Sequence, residues 1–265
     1  MRAFALDRAV QASSTRTLAI LFPLMLLGAC ETLPPPVDSA VLQERVDAEP
    51  RLPDAPRYIV DPNASEVRLL VYREGPLARF GHNHVISGPV RGEIRAGNSA
   101  ADSGFHLEIP VTLFTVDSPA ARVEEGEAFA SEVSDEARAA TRDNMLGKEL
   151  LDAENMPIIE IDSISLTGPR WNPTVLARTR LRGATRDLRF PAGVVEHDGE
   201  LAVVASLRIR QTDFGLAPFS TLGGGLRVSD GVDIRLRVIA RRTSREAANK
   251  RPFSPPACRR ATHTH

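Results

Sequence analysis

The sequence predicts an all-β domain with one inserted α-helix, and three observations predict it. Apolar and polar residues alternate with period two over many segments, a single stretch has near-helical spacing, and turn signals separate the alternating runs. Successive side chains point to opposite faces of a strand, so such alternation describes antiparallel strands with one dry and one wet face.

In chain order, "SEVRLLVY" places Val67, Leu69 and Val71 on one side. "ARFGHNHVISG" follows, with His82 and His84 one residue apart at the expected start of a strand, where both would point the same way. "LEIPVTLFTV" sets Leu107, Ile109, Val111 and Leu113 on one face and leaves His106 out of phase, facing solvent. The exception is "SEVSDEARAATRDNMLG", 131 to 147. Its acidic start, the spacing of Val133, Ala137 and Ala140, and Gly147 at its end predict a helix of about four turns. In "VLARTRLRG", Arg178, Arg180 and Arg182 fall on alternate positions and read as a solvated sheet face. "SLRIRQ" and "DIRLRVIARR" set Leu207 and Ile209, then Ile234, Leu236 and Val238, against arginines. "RGATRD" and "HDGE" are turns, and "DFGLAPFSTLGGG" is a long glycine-rich loop that could gate an entrance. About eight strands and one helix suggest a closed barrel or a sandwich, and eight is the number whose barrel can hold one small ligand. Val67, Leu69, Val71, Leu107, Ile109, Leu207, Ile209, Leu236 and Val238 then either line a cavity or fill a core, since both produce the same pattern.

The ends of the chain differ from this domain. Arg2, Arg8 and Arg16 precede "LAILFPLMLLGAC", an apolar run shorter than the roughly 20 residues of a membrane span and suited to an export signal over residues 1–29. Its ending resembles a bacterial lipobox, which implies acylation of Cys30 and stable membrane anchoring through several acyl chains. Glu31 resembles outer-membrane sorting, so the expected location is the periplasm, lipid-anchored to the outer membrane. Residues 30–56, rich in proline and acid, read as a tether, 57–243 as the domain, and the polar stretch 244–265 as a disordered tail. With Cys30 acylated, Cys258 is the one cysteine left, so the fold must rest on its core without an intramolecular disulfide. The formal net charge of −1 gives no field that would draw the chain onto nucleic acid.

The chain contains no G-x-S-x-G elbow, no phosphate-binding glycine loop, no dinucleotide fingerprint and no cysteine cluster of zinc spacing. A catalytic zinc needs three protein ligands, and His82 and His84 supply two at most. His106 is out of phase and His197 sits in a polar turn. No enzyme is therefore expected, and no metal or cofactor. Two other readings stay open: an electron-transfer accessory holding a metal or haem through His82 and His84, and an interaction module without a pocket.

Four stretches, taken in order, resemble the YceI-like polyisoprenoid-binding family. They are "RYIVDPNASEVRLLVYREGPLARFGHNHVISGPVRGEIR", "TRDNMLGKELLDAENMPIIEIDS", "LRGATRDLRFP", and "RQTDFGL" with "DGVDIRLRVIA". The resemblance implies an antiparallel, lipocalin-like barrel whose interior holds an isoprenoid amphiphile. The chain departs from the family pattern at Met145, Gly147, Leu150, Leu151, Gln211 and Thr212. A bilayer solvates an isoprenoid tail as well as a protein interior does, so selectivity must come from shape and from polar contacts at the mouth. His82 and His84 are accordingly assigned to head-group contact, with Arg142 and Asp143 as second candidates whose alternative role is a salt bridge fixing the helix end.

Overall fold

The alternating segments pair into one antiparallel sheet of fourteen strands, described over residues 41–43 and 47–243 in a computed structural model. β1 (Val41–Gln43) lies within the segment expected to be a tether. β2 (Arg57–Val60) and β3 (Glu66–Glu74) form one broken strand, and so do β4 (His84–Pro89) and β5 (Arg91–Arg95), which only Val90 separates. β6 (Gly104–Pro110) and β7 (Thr115–Val116) form a third, split by the turn Val111–Leu113. β8 (Ile158–Thr167), β9 (Thr174–Leu181), β10 (Ala184–Pro191), β11 (Gly193–His197), β12 (Glu200–Arg210), β13 (Ser220–Thr221) and β14 (Leu226–Arg242) complete the sheet. Taking each broken strand as one, and β10 with β11 as one, leaves eight main staves. They run β14, β2/β3, β4/β5, β6/β7, β8, β9, β10/β11 and β12, with β12 pairing back onto β14.

The hairpin turns follow local chemistry. Arg182 and Gly183 join β9 to β10, and Asp198 and Gly199 join β11 to β12. All four residues take positive φ, the conformation a two-residue type I′ turn demands. The expected closed ring is not formed. β10 pairs with β9, and with β1 at its outer edge, while β11 pairs with β12; no ladder joins β10 to β12. The reason lies at the bend. Pro191 has no N–H, and the Ala192 and Val194 N–H groups still donate to the Pro173 and Trp171 carbonyls on the β9 side, while Gly193 already pairs with Val204 of β12. The sheet is thus a curled barrel with an open seam.

Three further expectations change. The helix is shorter than 131–147. α1 (Pro119–Glu124) is a short helix that the alternation does not announce, and the expected helix is α2 (Asp135–Leu146). It starts where the Ser134 hydroxyl accepts the Ala137 N–H, with Asp135 and Glu136 favourably placed in its first turn. Leu113 is 56% exposed, because the turn after Pro110 interrupts the period of two. Arg178 is not solvated. It is 1% exposed and makes a two-pronged contact with buried Asp187, Nε to Oδ1 and Nη2 to Oδ2, both at 2.9 Å. Period two identifies the outer face but does not reveal that other chain segments cover it, here with Glu49 beside the guanidinium. Cys30, the signal expected at 1–29, Cys258 and the tail expected at 244–265 lie outside the described residues. Among the described residues no helix is long and apolar enough to cross a membrane.

Candidate functional site

Curling an alternating sheet turns its apolar face inward. The interior holds a cavity of about 340 Å³, within the range of small-ligand pockets. Val67, Leu69, Val71, Leu107, Ile109, Leu207, Ile209, Leu236 and Val238 all line it. Four positions that depart from the family pattern, Met145, Leu150, Leu151 and Gln211, line it too, and three of them make the wall more aliphatic. Asn144 and Phe219 are exposed and yet line the cavity, so it reaches solvent beside α2 and beside the glycine-rich loop. In that loop Phe214 and Leu216 are buried in the core, and Thr221 pairs with Leu226, so most of the segment is anchored.

The few polar side chains on the wall are mostly committed. Arg170 donates to the Gly97 carbonyl and to Glu196, and the Gln211 amide donates to the Ser229 carbonyl at 2.8 Å. Thr141 and Asn144 of α2 are free of side-chain bonds among the described residues. His84 is different, because a buried network orients it.

His84 opens β4, and alternation places it with Ile86 on the cavity side. Asp117 closes β7. Its backbone N–H donates to the Val85 carbonyl at 2.7 Å, and its carboxylate Oδ1 accepts the Val85 N–H at 2.8 Å. Asp117 therefore holds Val85 from both sides, and it takes a φ of 53° to do so, a left-handed conformation that aspartate tolerates better than most residues. The other carboxylate oxygen accepts His84 Nδ1–H at 2.6 Å. Arg122 of α1, also buried, donates to Asp117 Oδ1 at 2.6 Å and to the Asn83 carbonyl at 2.8 Å, and its second arm reaches the Ser131 carbonyl and hydroxyl. Burial alone would raise the Asp117 pKa; hydrogen bonds from His84, Val85 and Arg122 outweigh it and hold the carboxyl below the usual carboxylate range.

His82 does not join the cavity wall. The strand begins only at His84, so alternation does not extend back to His82, whose Nδ1 lies 3.3 Å from the Ser131 hydroxyl. The two imidazole centroids are 6.5 Å apart. Burial, then His84 and Arg122, push the His82 pKa down. Arg142 and Asp143 are not on the wall either. Arg142 donates to the Phe114 and Thr112 carbonyls and makes no ion pair with Asp143, which is exposed. Among the described residues no group of three or more histidine, cysteine or carboxylate side chains could hold a metal ion. Sequence reasoning missed Asp117 and Arg122. The one available signal was local: "DSPAAR" has a serine followed by proline, which starts a helix and so places Arg122 five residues after Asp117 on a fixed frame.

A family model described as a YceI-like domain matches residues 58–240. No curated protein matches the sequence. Among solved structures, BcnA of Burkholderia cenocepacia is 15% identical with a TM-score of 0.49, over 68% of this chain and 98% of that one. A polyisoprenoid binding domain from Saccharophagus degradans, implicated in plant cell wall breakdown, is 12% identical at 0.49, over 70% and 98%. The YCEI protein of Campylobacter jejuni is 11% identical at 0.43, over 58% and 82%.

Proposed function

The chain belongs to the YceI-like family, and on that premise we propose that it is a lipid-anchored periplasmic protein that binds a polyisoprenoid-type amphiphile, as a carrier or to sequester it. The carrying observation is the aliphatic cavity with one oriented imidazole on its wall. Aliphatic side chains around an open hollow lack partner atoms on one side, and an apolar tail laid against them restores those contacts. A chain retaining such a hollow has reason to fill it. Branched aliphatic walls suit a flexible isoprenoid tail, and His84 supplies the polar contact that a bilayer cannot. The protein binds its ligand and does not transform it. Export and anchoring rest on the basic leader, the short apolar run and "LLGAC".

The test is to produce the full chain with Cys30→Ser, extract the purified protein with organic solvent, and identify what is released by mass spectrometry. Recovery of an isoprenoid at near-stoichiometric yield supports the reading. Repeated recovery of no lipid, from protein that also refuses added prenyl chains, overturns it. Anchoring is checked separately by metabolic labelling with a radioactive fatty acid, which Cys30→Ser should abolish.

A further inference from the structure

If the cavity holds an amphiphile, as proposed above, the bonds around His84 decide which polar head it prefers. The Asp117 carboxylate receives three donors, one of them a buried guanidinium, and is ionised; it can only accept. An acceptor facing Nδ1 requires the proton to sit on Nδ1. In the neutral imidazole the other nitrogen, Nε2, then offers a lone pair and no proton. Nε2 makes no hydrogen bond within the described residues, and it belongs to a residue on the cavity wall. Thr141 and Asn144 can donate or accept and so serve any head equally.

We propose that the cavity selects amphiphiles whose head presents a hydroxyl proton, a free prenol or a hydroquinone, over the same tail ending in a carbonyl, such as a quinone. A hydroxyl donates to Nε2. A carbonyl brings lone pairs to a lone pair, forms no bond there and shuts water away from an acceptor that it cannot satisfy. Asp117 is a positioning residue in this scheme: it acts on the ligand only by setting where the imidazole proton sits. Its replacement by asparagine would invert that setting. The Val85 N–H and Arg122 claim the amide oxygen, so the amide NH₂ faces His84 Nδ1 and drives the ring proton to Nε2.

The test uses the full chain with Cys30→Ser, stripped of lipid, and two probes: a benzoquinone carrying a geranyl tail and the hydroquinone made from it, compared without oxygen. The hydroquinone should bind about tenfold more tightly. His84→Gln, whose amide can accept or donate, should bring the two affinities within about twofold, and Asp117→Asn should favour the quinone. Nitrogen-15 NMR of the unliganded protein at a pH where the ring is neutral should show a protonated Nδ1 and a bare Nε2. Both wild-type measurements stand even if Asp117→Asn does not fold. Equal affinities, a preference for the quinone, or a proton on Nε2 would each overturn the proposal while leaving lipid binding intact. Refusal of both probes by folded protein would overturn the underlying reading as well.

Discussion

Two histidine–carboxylate pairs on the same barrel have nearly the same geometry and opposite surroundings. His84 Nδ1 lies 2.6 Å from Asp117 and His106 Nδ1 lies 2.7 Å from Asp162. His106 alternates with cavity-lining Leu107 and so stands on the outer face, paired across β6 and β8. Its other nitrogen faces Glu108 at 3.5 Å, and Arg180 reaches Asp162 at 2.5 Å. His84 itself lies on the wall of an apolar hollow, and its second nitrogen makes no hydrogen bond among the described residues. A pair of this kind is a surface ornament when water and further charges surround it. It becomes a recognition element when its carboxylate is walled off and its far nitrogen has nothing else to meet. What each imidazole faces, and not the pairing distance, separates them.

The comparison breaks most readily through stability. Asp117→Ala strands the buried Arg122, removes the acceptor of the Val85 N–H and releases His84, and breaking a buried ion pair in this way costs roughly 3–5 kcal/mol. Asp162→Ala removes a partly exposed partner and should cost about 1 kcal/mol or less. Urea unfolding of both variants decides; similar losses would mean that enclosure does not distinguish the pairs.

A second prediction isolates the hollow. Leu69 lines the cavity and is only partly buried, so Leu69→Trp grows into open space without displacing fixed neighbours. It should cut recovered lipid at least tenfold while the melting temperature moves by a few degrees. The matching change on the outer face, His106→Trp, should leave lipid recovery unaltered.

The inner pair shows what could be read from sequence and what could not. Alternation alone places all nine apolar residues on the inner face, because a pleated strand leaves no other choice. It also places His84 there. It is silent about Asp117, which lies 33 residues further along and arrives only because β7 pairs with β4. Alternation cannot say whether an inner face is hollow, nor whether an outer one is covered, which is how Arg178 escapes it. The open seam, where β10 stays with β9 and β11 turns to β12, is a matter of tertiary geometry that only the assembled sheet reveals.

The pH dependence sharpens the contrast further. Burial would lower the His106 pKa, but Asp162 and Glu108 outweigh it and the net shift is upward. A raised value means the folded state holds the proton more tightly. That contribution is fully present below about pH 6.5, the ordinary histidine value, and fades as pH rises through the folded one. The Asp117 shift is downward, so its contribution is present above about pH 3.9 and is lost as pH falls through the folded value. Denaturant unfolding of Asp162→Asn against wild type should therefore show a gap that narrows above neutrality. The gap for Asp117→Asn should persist there and close only in strong acid. A gap for Asp117→Asn that closes on the alkaline side would contradict the buried carboxylate.

The smallest effect concerns His82, which the sequence places beside His84 in the same role. It stands off the cavity wall, against Ser131. Its hydrogen-bonded path to His84 runs through Ser131, whose hydroxyl and carbonyl also receive Arg122. Removing the ring leaves both of those Arg122 bonds and the Asp117 contact in place. His82→Ala should thus change the affinity for a geranyl hydroquinone by no more than about twofold, the scale of a surface substitution outside a binding site. A loss matching that of His84→Ala would show that the two imidazoles act as one unit, and that the wall of the cavity extends past the start of β4.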